Sequence, residues 1–400
     1  MAPAPPRSPH PRPADSARGD GASGLRITVL EPYDAISHRL HWEGLAAHSR
    51  HTITVHSLPA RLWKFRMRTA SFHFAELLSR AAAAGESPPD LLVCSEYLSV
   101  AEMIPLLPRA WRGIPVVVDF HENQLTYPLR PGESRDLHFA FSHLHAGIVS
   151  ERAIFHSTYH RDEFLAALPG LIRPVPDVDL RSLPRRFAER STVLPLASDA
   201  PAVAPRLEGT PRPTILWAHR FEYDKGPEAF VGAVERLRSA GESFRVRVLG
   251  QRFREEPLAF RRLAALLGDD LSDDGFLPDR GAYLAAVASA DIALSTADHE
   301  FFGVSTLEAL RSGLVPVLPD DLAYPELLPE SARRPPFLYS RGDDTADAAA
   351  RALAQALAIV RSGEEKEVRS EIARETDRFR WEEIAPRYDA LFAEVVGDAE

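Results

Sequence analysis

One cysteine, Cys94, and three methionines stand in a chain of 400 residues. A lone thiol excludes an intramolecular disulfide and any cysteine-built zinc or iron–sulfur site, and it suits a reducing compartment. No apolar run is long enough to cross a bilayer, and no basic stretch followed by an apolar one opens the chain; the expectation is a soluble, cytoplasmic protein with no membrane partner. A basic excess is missing too. The 47 Lys and Arg against 57 Asp and Glu leave a formal charge of −10, which argues against broad, non-specific nucleic-acid binding and leaves room only for a local basic patch. What is present, 45% apolar and 26% charged residues, is ordinary globular composition and enough for two domains with full cores. Nothing specifies an oligomeric state.

Residues 1–24 are rich in proline, alanine, arginine and serine and read as a disordered tail. Order begins with a β-branched run at 25–30, followed by a loop at 31–38 and a helix at 39–48. Strands at 51–56, 91–94 and 115–120 then alternate with helices at 72–84 and 101–107. No glycine-rich phosphate turn follows the first strand. A proline- and alanine-rich stretch at 197–213 is the best linker between a first domain, 25–196, and a second that starts at 214. The second half repeats the rhythm: strands at 214–217, 244–250, 291–295 and 314–318, with helices at 227–240, 257–267 and 281–288 and another closing at Gly313. Alternating strands and helices of this kind predict an α/β fold with parallel sheets.

Four stretches carry chemistry. Arg61, Lys64, Arg66 and Arg68 are interleaved with Trp63 and Phe65. That pattern suits phosphate neutralisation with base stacking, though an amphipathic edge with a solvated basic face is the commoner meaning of such a segment. His121, Glu122, Asn123 and Gln124 leave the carboxyl end of a buried strand, where α/β enzymes gather reacting groups; the alternative is a loop satisfying its own backbone. Arg220 and Lys225 lie in a loop entering a helix whose first residue is Pro227, a good diphosphate clamp if not merely two surface cations. Finally, Glu300 and Glu308 bracket Phe301, Phe302 and Gly303 at the head of a helix. Read alone, the stretch admits a nucleotide site, a structural loop or a hydrolytic pair; eight helical residues would span roughly 12 Å, wider than a glycosidase carboxylate pair, which makes the hydrolytic pair the weaker reading.

Arg220 and Lys225 followed by Glu300 and Glu308 resemble the donor site of retaining GT-B glycosyltransferases. More narrowly, Leu58-Pro59-Ala60 with Trp63 to Arg66, Phe120 to Leu125, His219-Arg220 with Asp224-Lys225, and His299 to Gly303 with Tyr324-Pro325-Glu326 resemble the tRNA-queuosine α-mannosyltransferases, in the same order from Val29 to the last helix. The resemblance implies two Rossmann-like doubly wound domains facing across a cleft, the second at 214–378, with a C-terminal helix at 379–397 crossing back to the first. It implies mannosyl transfer from GDP-mannose, with retention, to queuosine at the wobble position of aspartate tRNA. The partners would then be a nucleotide sugar and a queuosine-containing anticodon loop.

By the same resemblance, Arg220 and Lys225 would neutralise the diphosphate, Glu308 would take the ribose hydroxyls, and Glu300 with the backbone after it (Phe301, Phe302, Gly303) would hold the sugar. His121 would approach from the other domain, and Gly250 and Gly275 would lie where backbone meets nucleotide. Ser37, His38, Arg61, Trp63, Lys64, Arg66, Arg68, Glu122, Asn123 and Gln124 would serve the acceptor. Where relatives carry glycines in the first loop, this chain has Ala35-Ile36, which crowds close backbone approach. Cations and helix amides suffice for the leaving diphosphate, so neither cofactor nor metal is expected, and the sequence displays no metal cluster. Two other classes stay open: a GT-B enzyme acting on a lipid, polysaccharide or small metabolite, and a non-catalytic RNA or sugar-nucleotide binder.

Overall fold

The computed structural model describes residues 24–130, 132–206, 208–252 and 258–399. The predicted tail lies outside them apart from Gly24, as does Pro257, the expected start of a helix that is described from Ala259.

The first six strands form one parallel sheet: β1 (Arg26–Asp34), β2 (Thr52–Pro59), β3 (Leu91–Ser95), β4 (Val116–Phe120), β5 (Arg152–Phe155) and β6 (Ser191–Val193), in the order β2-β1-β3-β4-β5-β6. The central strands β3 and β4 are buried at every residue, as expected for parallel strands covered on both faces. The helices that matter below are α1 (Ile36–His48), α2 (Trp63–Ala83), α3 (Leu137–Val149) and α4 (Thr158–Ile172). Two sequence expectations shift. The first strand runs on through Glu31 to Asp34, because buried Glu31 is satisfied by the Tyr33 amide, His38, Trp42 Nε1 and Ser95 rather than by water. The basic aromatic segment is not an edge; it is the first turns of α2, which the sequence predicted to begin only at 72.

The second sheet contains β7 (Thr214–Ala218), β8 (Arg245–Leu249), β9 (Leu271–Gly275), β10 (Ile292–Leu294), β11 (Val315–Pro319) and β12 (Leu338–Tyr339), in the order β12-β11-β10-β7-β8-β9. Numbered within the half, this is the 3-2-1-4-5-6 order read in reverse, and it turns back between β7 and β10. Ligands of doubly wound sheets bind at the carboxyl ends of such a pair. Covering helices include α5 (Pro227–Ser239), α6 (Arg280–Ala288), α7 (Val304–Arg311) and α8 (Thr345–Ser362).

The last helix, α9 (Trp381–Ala399), returns to the first sheet, where Trp381, Ile384, Tyr388, Phe392 and Val395 share a core with Ile27, Val29, Trp42, Val117 and Ile154. Each such side chain contributes about 1.5–3 kcal/mol on burial, so this return is a firm attachment. The proline-rich 197–213 stretch is likewise bound down: the amides of Ser198, Val203 and Thr210 donate to the carbonyls of Phe379, Arg311 and Val360. Among the described residues no helix is long and apolar enough to cross a membrane.

Candidate active site

The turn-back between β7 and β10 explains why residues 80 positions apart meet. His219 and Arg220 leave the end of β7, and Ser295 to Glu300 leave the end of β10. Gly226 and Gly303, both left-handed, start α5 and α7 beside each other. At Gly226 a side chain would lie 2.0 Å from the Thr296 carbonyl oxygen, so the two loops interlock only through glycine.

Lys225 is the hub. Its buried Nζ donates to the His299 carbonyl at 2.7 Å and to Glu300 Oε2 at 3.3 Å, and lies 3.2 Å from Asp224 Oδ2. Burial pushes the Glu300 carboxyl up, but Lys225, His219 and His299 outweigh it and hold it below its ordinary value. Arg220 sits 3.0 Å from Glu222 and reaches across to the first half, donating to the Tyr127 hydroxyl at 3.3 Å. Burial alone would lower its pKa; Tyr127, Glu222, Asp224 and Glu122 reverse that, so the guanidinium is firmly charged. The result is two cations held among three carboxylates, Glu222, Asp224 and Glu300, so a leaving diphosphate would meet cations already in place.

Glu308, on α7, is 3% exposed, and its carboxylate is held by Arg280 Nη2 at 2.6 Å and the Tyr283 hydroxyl at 2.9 Å. Burial raises its pKa against the pull of Arg280. Arg280 and Tyr283 lie in the first turn of α6, and their spacing carried no signal without the fold. The side chains of Phe301 and Phe302 do not line the crevice: Phe301 stacks on His160 of the first half at 3.8 Å and Phe302 packs against Phe379. Their contribution to a donor site is therefore limited to backbone. Gly250 is required internally, since a side chain there would meet the His219 carbonyl oxygen at 1.8 Å; its amide donates to Gly275.

On the facing side, His121 has a side chain only 6% exposed, stacked on His38 at 3.9 Å, with Nε2 3.3 Å from Asp119 Oδ2. Burial, then His38 and His156, keep its pKa well below the usual imidazole value. His38 itself is a correction: it is 5% exposed and bonded to Glu31 at 2.9 Å, which places it behind His121 rather than on an acceptor surface. Asn123 is a second correction. Fully buried, its Oδ1 accepts from the amides of Leu125 and Thr126, so it shapes the loop. Glu122 accepts from the Tyr97 hydroxyl and from Gln124 Nε2, and burial raises its pKa.

Ser37, Arg61, Lys64 and Arg68 are exposed. Trp63 is half-buried against Phe139 and Tyr97, Lys64 lies over the Trp63 ring, Arg66 donates to the Pro59 carbonyl, and Arg68 covers the Phe139 ring. Leu62 at 74% and Phe65 at 67% exposure stand out beside them as apolar groups with no partner to cover them.

Residues His41, Asp119 and His121 gather with ligand atoms within 4.8 Å of one another, a grouping of α1 and the end of β4 that no local motif announces. The comparisons with known proteins follow the same two-part plan. Residues 26–197 match the family described as tRNA-queuosine alpha-mannosyltransferase N-terminal, and residues 203–375 match glycosyl transferases group 1. Among solved structures, the catalytic domain of starch synthase IV from Arabidopsis thaliana is similar with a TM-score of 0.67 at 14% identity, covering 94% of this chain and 100% of that one. Sucrose-phosphate synthase from Thermosynechococcus elongatus is similar with a TM-score of 0.64 at 16% identity, covering 93% and 100%. Two Rossmann-like sheets, a returning C-terminal helix and this charged crevice define a GT-B glycosyltransferase.

The curated relatives narrow the class. A tRNA-queuosine alpha-mannosyltransferase of Drosophila melanogaster is 32% identical over 315 residues, 76% of this chain and 82% of the relative. A GDP-mannose-dependent phosphatidylinositol dimannoside mannosyltransferase of Mycobacterium tuberculosis is 29% identical over 173 residues, 43% and 42% of the two chains. The chain belongs to the tRNA-queuosine alpha-mannosyltransferase family, and is an enzyme of hexosyl transfer.

Proposed function

We propose that this enzyme transfers mannose from GDP-mannose, with retention, to queuosine at the wobble position of aspartate tRNA. The observation that carries the reading is the cluster at the carboxyl ends of β7 and β10, in which Arg220 and Lys225 are held by Glu222, Asp224 and Glu300. The diphosphate lies against Arg220 and Lys225, where charge developing on departure meets cations already in place. Glu300 takes a hydroxyl of the donor sugar, the backbone from Phe301 to Gly303 lies along it, and Glu308 turns from Arg280 toward the ribose. Stabilisation of the diphosphate is assigned to these side chains and needs no metal or cofactor there.

His121 meets the sugar from the opposite half, with Glu122 and Gln124 beside it. The exposed start of α2, with Arg61, Lys64, Arg68 and Phe65, takes the anticodon loop by phosphate contact and stacking. Two relatives named for mannosyl transfer support mannose as the sugar; the mycobacterial one, named for a lipid acceptor, favours a lipid as the second reading.

The test is to incubate pure protein with queuosine-containing aspartate tRNA and a panel of nucleotide sugars, digest the RNA and weigh the nucleosides. A gain of one hexose on queuosine with GDP-mannose alone is expected. No gain with any donor sinks the reading, and gain only on lipid acceptors moves it to the second.

A further inference from the structure

Three imidazoles converge on one buried carboxylate at the base of the first half. Asp119, at the end of β4, is 0% exposed; Nε2 of His41 lies 3.4 Å and Nε2 of His121 3.3 Å from its Oδ2, and Nε2 of His156 lies 3.5 Å from its Oδ1. None of these contacts has hydrogen-bond geometry. Both carboxylate oxygens and all three facing nitrogens are buried without a hydrogen-bond partner, and so is His41 Nδ1. An ionised carboxylate shut away from water with no donor is strongly disfavoured.

The tautomer of His156 sharpens the conflict. Its Nδ1 lies 3.0 Å from the Leu194 carbonyl oxygen, which can only accept, so the proton sits on Nδ1. The neutral ring then turns the lone pair of Nε2 toward a carboxylate oxygen. Two lone pairs face each other unless a cation stands between them. A nitrogen ligand whose other ring N–H is held by a carbonyl is the usual outer support of a metal-bound histidine.

The separations of His41 and His121 from Asp119 Oδ2 agree with the same answer. Zinc bonds to imidazole nitrogen and carboxylate oxygen of about 2.0–2.1 Å put neighbouring ligand atoms about 3.3–3.4 Å apart in a tetrahedron. His121 and His41 lie 3.3 and 3.4 Å from Asp119 Oδ2, and His156 lies 3.5 Å from the other oxygen, Oδ1, so the carboxylate meets two imidazoles with one oxygen and the third with the other. Stacking closes the surroundings: Trp381 lies on His41 with ring centres 6.0 Å apart, and Tyr388 flanks it at 5.4 Å, both from α9.

We propose that His41, Asp119, His121 and His156 bind one divalent transition-metal ion, zinc by the chemistry of three imidazoles and one carboxylate. The ion ties α1, β4 and β5 together beneath the returning helix. It also fixes His121: with Nε2 committed to the metal, the ring proton resides on Nδ1, and that edge can only donate a hydrogen bond. The ion is separate from the diphosphate site and does not depend on the identity of either substrate.

The experiment uses the full chain, purified without a polyhistidine tag or a metal-affinity column and dialysed before elemental analysis. Near-stoichiometric zinc is expected, falling to background in His41→Ala and in His156→Ala. His143→Ala, which removes another buried imidazole outside the cluster, retains it. Because the first two variants can fail to fold, wild-type protein is also stripped with a strong chelator and reloaded with cobalt(II). The visible bands of tetrahedral cobalt(II), lost on adding zinc and indifferent to magnesium, are expected together with a rise in Tm on reloading. Metal-free protein as isolated, with no cobalt(II) bands and no change in Tm on adding zinc, overturns the proposal in favour of a protonated imidazole cluster.

Discussion

The hydroxyl of Tyr127 accepts from Arg220 Nη2 at 3.3 Å and lies 3.5 Å from Asp224 Oδ2, so one phenol from the first half touches one cation of the clamp and the carboxylate that pairs with the other. Its ring also lies 4.6 Å from that of His299. Tyr127→Phe keeps the ring and removes the bridge. A hydrogen bond to a charged group is worth about 1.5–3 kcal/mol, and the variant should lose roughly 10- to 100-fold in kcat/KM, mostly through the donor. Steady-state kinetics over a donor titration reads this; an unchanged donor KM and kcat would remove Tyr127 from the clamp.

Lys225 and Glu300 depend on each other. Lys225→Ala removes a cation from the leaving group and leaves half-buried Glu300 without its cation, so transfer should fall by about 100-fold or more. Glu300→Ala should abolish transfer while tRNA binding persists. The double variant should be no worse than Glu300→Ala alone, since the two side chains act as a unit. Rates multiplying independently in the double variant would show separate roles.

The candidate site is legible in the sequence where its signals are local. The cations entering α5 and the glutamates around Gly303 sit in short stretches whose strand–loop–helix context periodicity reveals. The partners of those residues were not legible, because the fold supplies them from afar: Arg280 and Tyr283 reach Glu308 from a different helix, and Tyr127 reaches Arg220 from the other half. His38 and Asn123 misled for a related reason. A polar residue at a strand end points to chemistry or to the loop's own backbone with the same letter, and burial decides. The helix start at Trp63 was missed because alternating basic and aromatic residues mask the 3.6-residue period until Met67, Ala70 and Phe74 turn inward.

On α2 the cations divide by what already holds them. Arg66 donates to the Pro59 carbonyl, Arg68 lies over Phe139, 4.0 Å from Asp136, and Lys64 lies over the neighbouring Trp63 ring; Arg61, just before the helix, is exposed, as are Lys64 and Arg68. Arg61→Ala and Lys64→Ala should each lower the salt slope of tRNA binding by about one, and Phe65→Ala should cost about 1–3 kcal/mol of affinity without that slope change. Arg66→Ala should matter less, and Arg68→Ala should mainly weaken tRNA binding while leaving donor KM unchanged. Binding measured across a salt series separates these; identical slopes in all variants would move the RNA elsewhere.

Acid should destabilise the first half through His143. On the buried face of α3, with its ring edge-on to Phe120, it accepts from the Gln124 amide, and burial lowers its pKa from 6.5 to about 3. A folded-state pKa below the unfolded one means the stabilisation is present above pH 6.5 and is lost as pH falls toward about 3. Between pH 6.5 and about pH 5 that amounts to about 2 kcal/mol. His143→Phe, which cannot titrate, should flatten the fall in Tm over that interval, and a parallel fall in the variant would assign the acid sensitivity to other groups.

Glu326 joins the halves at a point that controls the donor loop. Its carboxylate accepts from the Thr158 amide at 2.9 Å and the Tyr159 amide at 2.7 Å, so a side chain of the second half caps the N-terminus of α4 in the first. Those amides have no intrahelical acceptor, and the helix dipole adds to the attraction. Beside them Ser157 Oγ donates to the Phe301 carbonyl at 2.6 Å, next to Glu300, and His160 stacks on the Phe301 ring. Loss of a charge-assisted cap costs about 1–2 kcal/mol, too little to unfold either core yet enough to loosen the crevice. Glu326→Ala should therefore lower kcat more than Tm, with a change in small-angle scattering toward a more open particle and partial recovery in Glu326→Asp or Glu326→Gln. A variant that loses Tm in proportion to activity, with unchanged scattering, would make the contact a stability element and leave the spacing of Tyr324-Pro325-Glu326 without a part in transfer.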